Sequence, residues 1–134
     1  MYLMINYIIM NSKIIKRINS EIKQINEEIT EGVSIILTDD LKRFYANIEG
    51  PPDSPYQGKF YKLEIKLPDN YPISPPKIKF ISNIFHPNVY KDGKICLDIL
   101  RGDQWTPSLK ISTALLSIRS LFTDPDPTSA ANPE

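Results

Sequence analysis

Isoleucines at positions 14, 18, 22, 25 and 29 recur every three or four residues, with Lys16, Arg17, Glu21, Lys23, Glu27 and Glu28 between them. That spacing predicts one amphipathic α-helix with an apolar stripe. Ser12 suits its N-cap, and Gly32 the position just past its end. Ahead of it, Met1 to Met10 is almost wholly apolar. It lacks the basic start, the cleavage site and the roughly 20-residue span that secretion or membrane insertion requires. It is therefore read as a poorly ordered extension over 1–10, with the folded domain over 11–134.

After Gly32 the period changes from that of a helix to that of strands. Ser34–Thr38 is short and β-branched. In Leu41–Ile48, Phe44, Ala46 and Ile48 share one face. Tyr61, Leu63, Ile65 and Leu67 then alternate with Phe60, Lys62, Glu64 and Lys66, the signature of a half-buried strand. Ile78 and Phe80 mark a fourth. Turn formers separate these runs: Asp39-Asp40, the Gly50–Pro55 run, and Pro68-Asp69-Asn70. Four strands in succession predict an antiparallel meander with one face covered by helix, an α+β class. A second helix is predicted over Ile111–Phe122 and is stopped by Asp124-Pro125-Asp126-Pro127.

Between them, Ile81 to Ser108 follows no regular period. A loop of that length inside a compact domain is usually functional. It carries His86, Cys96 and Trp105, each the only residue of its type in the chain of 134 residues. One cysteine forms no intramolecular disulfide, so a bridge-stapled secreted fold is excluded and a reducing cytoplasmic or nuclear compartment is expected. Lys+Arg and Asp+Glu balance at 16 each. A neutral chain lacks the cationic surplus that phosphate binding demands, so neither nucleic acid nor a membrane is an expected partner. A single cysteine is more often an inert buried thiol, yet its place in this loop favours a nucleophile. A Cys-His hydrolase with His86 as base is one alternative. A zinc site is a poorer one, because one cysteine and one histidine fall short of four ligands.

His86-Pro87-Asn88, then Cys96-Leu97-Asp98-Ile99-Leu100, then Trp105-Thr106-Pro107 resembles the active-site segment of ubiquitin-conjugating enzymes. Gly50-Pro51, Ser54-Pro55-Tyr56-Gln57-Gly58, Tyr71-Pro72 and Pro75-Pro76-Lys77 are similar to the same family's turn signatures, in order, from about Lys13 onward. The resemblance implies the family's fold and its reaction. An ATP-consuming activating enzyme passes ubiquitin to Cys96 as a thioester, and a substrate lysine, usually recruited by a RING or HECT-type ligase, attacks it. No tightly bound cofactor and no metal is implied. Asn88 matches the family's asparagine, as an oxyanion donor or as a brace for the loop, and both readings stay open. Tyr90, Asp98 and Ser129 are the candidates for positioning the lysine. Lys16, Arg17, Ile73 and Pro107 map to the surface for the activating enzyme and ligase, and the two cations, off the isoleucine stripe, are expected to be solvated. Two other readings are a non-catalytic ubiquitin-handling adaptor and an enzyme for another ubiquitin-like modifier. Asp98 in Cys96-Leu97-Asp98 favours ubiquitin over SUMO. The chain stops at Glu134, where the family continues through two further helices. Their absence is expected to leave apolar surface of Ile111–Phe122 open.

Overall fold

A computed structural model describes residues 2–28 and 32–127. Its elements follow in order as α1 (Tyr2–Glu28), β1 (Val33–Ile36), β2 (Arg43–Glu49), β3 (Phe60–Lys66), β4 (Lys77–Phe80), a 3-10 turn (Asp98–Leu100) and α2 (Ile111–Ser120). The strands form one antiparallel meander, β1-β2-β3-β4. Register pairs Ala46 with Leu63 and Ile48 with Tyr61, and Ile65 with Ile78 across the next strand. The residues predicted to share a face therefore do so. Phe44, Ala46, Ile48, Leu63 and Ile65 are fully buried, in one core with Ile18 and Ile25 of α1 and Ile111, Leu115 and Ile118 of α2. This is the α+β arrangement anticipated from the periodicities.

Two helix boundaries differ from the prediction, and the first two strands shift by one to two residues at their ends, to Val33–Ile36 and Arg43–Glu49. α1 begins at Tyr2, so Ser12 lies inside the helix and caps nothing, and residues 2–10 continue the same helix. No glycine or proline interrupts Tyr2–Glu28, and adding a residue to a helix costs far less than nucleating one. α2 ends at Ser120, and Leu121 to Thr123 close a turn in which the Leu121 amide bonds the Ser117 and Ile118 carbonyls. Ile29, Ser129 and Glu134 lie outside the described residues. Among the described residues no helix is long and apolar enough to cross a membrane.

One side chain ties the helices together. Glu21 is 4% exposed although it is ionisable. One of its oxygens accepts from the backbone amide of Ile111 at 2.8 Å. The other accepts from the Tyr71 hydroxyl at 2.7 Å and from Arg17 Nε at 3.2 Å. Ile111 opens α2, and the N-cap residue Lys110 supplies no side-chain cap. The first amides of a helix have no intrahelical acceptor and carry the positive end of its dipole. A carboxylate from α1 answers both needs. Burial and the Glu21 carboxylate together hold the Tyr71 phenol well above its ordinary range, so it stays a donor.

Arg17 departs from its expected solvation. Its guanidinium donates to the Leu109 carbonyl at 2.8 Å and lies 5.5 Å from the centre of the Tyr71 ring. Lys16 is exposed as expected.

Glu21→Ala leaves Arg17 without its carboxylate and the Ile111 amide and Tyr71 hydroxyl without an acceptor. Removing one member of a buried charged cluster costs about 3 kcal/mol. The midpoint of urea unfolding should fall accordingly, with Glu21→Gln falling less.

Candidate active site

The irregular segment is built by hydrogen bonds that follow no sequence period. Phe80, at the end of β4, donates its amide to the Gly93 carbonyl at 2.8 Å. Gly93 adopts φ +90°, and a Cβ there would sit 2.1 Å from the Phe80 carbonyl oxygen. Only glycine fits this close approach. The turn it makes pairs Tyr90 with Lys94, the Lys94 carbonyl accepting from the Tyr90 amide at 2.8 Å. The chain then returns beside Val89, and the Cys96 amide donates to the Asn88 carbonyl at 2.7 Å. Cys96 is thus held on a short two-stranded ribbon, half-buried and with a free thiol.

Asn88 is completely buried. Its side-chain nitrogen donates to the Asp126 carbonyl at 2.8 Å, and its side-chain oxygen accepts from the Asp126 amide at 3.0 Å. Asp126 lies between Pro125 and Pro127, neither of which has an N–H, so its amide is the single backbone donor of that run. One residue therefore holds the Cys96 strand through its carbonyl and the segment after α2 through its amide. Asp126 was not among the sequence-derived candidates. It acts through its backbone, which no side-chain pattern announces.

His86 is 1% exposed and sits in an aromatic cluster, 5.6 Å from Tyr56 and 6.3 Å from Phe122 between ring centroids. One ring nitrogen, Nδ1, accepts from the Asn88 amide at 3.0 Å, and Nε2 faces the Leu121 carbonyl at 2.6 Å. A carbonyl only accepts, so the proton resides on Nε2. Both nitrogens serve the backbone, and His86 is a structural pin for the turn rather than a base for Cys96. The Tyr56 hydroxyl completes the pin by donating to the Phe85 carbonyl at 2.7 Å.

The other named residues fall into two places. Around the sulfur, the Tyr90 hydroxyl lies 3.9 Å from Sγ of Cys96. That contact raises the Tyr90 pKa above its usual value, and a phenol is neutral at physiological pH in any case. Asp98 is exposed and opens the 3-10 turn, its Oδ1 accepting from the Ile99 amide at 2.8 Å. Further off, Trp105 Nε1 donates to the Pro72 carbonyl at 2.8 Å, and its ring lies 6.2 Å from Tyr71. With Arg17 on Leu109 and Tyr71, this draws together the segments that carry Arg17, Ile73 and Pro107. Ile73 is 71% exposed, and Pro107 is also exposed. Charged and apolar groups thus share one surface, apart from the thiol.

Residues 17–134 match the family model for "Ubiquitin-conjugating enzyme". The chain is 43% identical over 117 residues to "Ubiquitin-conjugating enzyme E2 N" of Drosophila melanogaster, covering 87% of this chain and 77% of that relative. It is equally 43% identical over 120 residues to "Ubiquitin-conjugating enzyme E2 2" of Candida glabrata, with 89% and 71% covered. The corresponding protein of Saccharomyces cerevisiae matches at 43% over 89% of this chain and 69% of its own length.

Desolvation outweighs the Leu121 hydrogen bond and depresses the His86 pKa. The unfolded chain therefore takes up this proton first, near pH 6.5. Stability present above that pH is lost as pH falls through it, by up to about 1.4 kcal/mol per pH unit, until the folded imidazole itself protonates. Urea midpoints from neutral to mildly acidic pH should show this decline, and imidazole NMR shifts should place the native titration below the unfolded one. The chain has one histidine, so the signal is unambiguous.

Proposed function

The chain belongs to the ubiquitin-conjugating enzyme family, and from that premise we propose that it carries ubiquitin as a thioester on Cys96 and passes it to a lysine amine. The observation that supports this most is the ribbon that presents a half-buried, unbridged thiol next to the Tyr90 hydroxyl. In the loading step the Cys96 thiolate attacks the thioester carbonyl on the activating enzyme. A new C–S bond forms, the old one breaks, and the activating enzyme's sulfur leaves as thiolate. ATP is spent upstream of this step, on the activating enzyme.

In the second step a neutral lysine amine attacks the carbonyl, and the tetrahedral intermediate collapses by expelling the Cys96 thiolate. The amine gives up a proton to solvent. A thioester is already an activated acyl group, so the site needs position and polarity more than strong base. The environment agrees with that demand. His86 is occupied elsewhere, and Tyr90 offers a neutral hydroxyl at the sulfur. Tyr90 and exposed Asp98 are assigned to the incoming lysine. Asn88 is assigned as a brace, because both atoms of its side-chain amide bond Asp126. The surface of Lys16, Arg17, Ile73 and Pro107 is assigned to the activating enzyme and a ligase, with cytoplasm or nucleus as the compartment.

Incubation with activating enzyme, ATP and ubiquitin should yield an adduct sensitive to reductant, and Cys96→Ala should abolish it. No adduct from the unaltered chain would instead favour a non-catalytic adaptor. Asn88→Ala should still load but discharge to free lysine about 100-fold more slowly, the size expected when a lost brace lets the reacting atoms shift by about 1 Å. Amide exchange at Asp126 should accelerate in the same variant. Slow discharge with Asp126 protection intact would return Asn88 to the oxyanion role.

A further inference from the structure

The outward face of the sheet carries a charge pattern that folding alone does not favour. On β2, β3 and β4 the register places Arg43 opposite Lys66, and Lys66 opposite Lys77. Three cations thus stand in one row across three strands. The next row runs Tyr45, Glu64, Lys79, and an isolated bridge continues it from Lys79 to Lys94. Directly opposed like charges destabilise a sheet. The chain as a whole is neutral, so this face gathers cations at the expense of the average.

Little of that charge is neutralised. Glu64 is the acid at its centre, and it is committed to Arg43 at 3.0 Å and to Lys66 at 3.7 Å. These cations hold its carboxyl below the usual range against the penalty of burial. Lys94 reaches Asp92 at 3.8 Å. Among the described residues no ion pair forms to Lys77 or Lys79.

The cations also line a groove of about 580 Å³, where Lys66, Lys77, Lys79 and Lys94 share the lining with Glu64 and with apolar Pro75, Pro76, Ile95 and Leu100. Ile95 immediately precedes Cys96, so the groove is continuous with the segment that bears the thiol. Its composition suits a polypeptide with acidic side chains for the lysines and apolar ones for Ile95, Leu100 and the prolines. Glu64 and the apolar lining make it a poor track for a run of phosphates.

We propose that this groove docks an acidic segment of the acceptor protein, holding it beside Cys96. The identity of the occupant as an acceptor rests on the transfer reaction proposed above. The docking itself does not.

Binding is read first, without activating enzyme. A fluorescein-labelled oligoglutamate peptide should show a rise in anisotropy with the full chain at low salt, weakening as salt is added. Lys66→Glu should weaken binding by roughly tenfold or more, since it places like charge against the ligand. It also converts the row to alternating sign but gives up the Glu64 contact at 3.7 Å, so a cooperative urea transition is recorded beside it to show that the variant is folded. The milder double variant Lys77→Gln/Lys79→Gln should weaken binding in the same direction. No binding by the unaltered chain, or binding that these variants leave unchanged, would overturn the proposal. So would a single-stranded oligonucleotide of equal charge that binds more tightly and is released by the same variants.

Discharge is read second. Loaded enzyme should transfer faster to a lysine peptide with a glutamate tail than to one with a glutamine tail. Lys66→Glu should erase that difference while loading of Cys96 stays the same. Equal rates on both peptides with binding intact would overturn the acceptor assignment. Failure to load at all would strike the transfer reaction and leave the binding result standing.

Discussion

The fold turns on a carboxylate where apolar packing alone would place an isoleucine. Glu21 fills a position on the buried side of α1, between Ile18 and Ile25, and spends both oxygens on partners from elsewhere in the chain. An unpaired charge at that depth would be prohibitive. It is tolerated because the α2 N-terminus, the Tyr71 hydroxyl and Arg17 converge on it. The Ile111 amide and the Tyr71 hydroxyl would in turn lose their acceptor without it, and Arg17 its carboxylate. The consequence reaches the surface, since Arg17 is held on Leu109 and Tyr71 beside the segment that displays Ile73. A buried acid thereby fixes where the exposed Ile73 segment lies.

Periodic features were legible in the sequence because burial repeats with the geometry of the element. Tyr61, Leu63 and Ile65 could only alternate, and Ile18, Ile22 and Ile25 could only line one side of a helix. Glu21 escaped because its charge placed it with the solvated residues. Its position carried the missing signal: residues 14, 18, 21 and 25 are as regular a helical series as the isoleucines. The N-terminal boundary escaped for the opposite reason. A serine looked like a cap, but nothing before it broke the helix.

The site was legible only in part, and the division is physical. Cys96 and His86 stood out as residue types in a segment without period, and Asn88 and Tyr90 through the family resemblance. What organises them is backbone. The Asn88 carbonyl takes the Cys96 amide, the Asp126 backbone takes the Asn88 side chain, and the Phe80 carbonyl excludes any residue but glycine at 93. Backbone groups are the same in every residue, so their pairing leaves almost no trace in composition. The same blindness explains His86, whose ring suggested a base and whose two nitrogens are spent on Asn88 and Leu121.

Rigidity and reactivity are thus supplied by different groups. Pinning by His86, Asn88 and Gly93 fixes the ribbon without placing a strong base at the sulfur. Tyr90, whose hydroxyl lies 3.9 Å from Sγ, is a phenol and neutral at physiological pH. For acyl transfer from a thioester this separation is advantageous, because a base strong enough to activate water would favour hydrolysis over the amine. A row of cations lies instead on the outer face of the sheet. There it can act on a polypeptide as a whole, through attraction that reaches about 8–10 Å at physiological salt. On the proposed reading that face draws and holds the acceptor, while Tyr90 offers the reacting lysine a neutral hydroxyl and Asp98 a carboxylate.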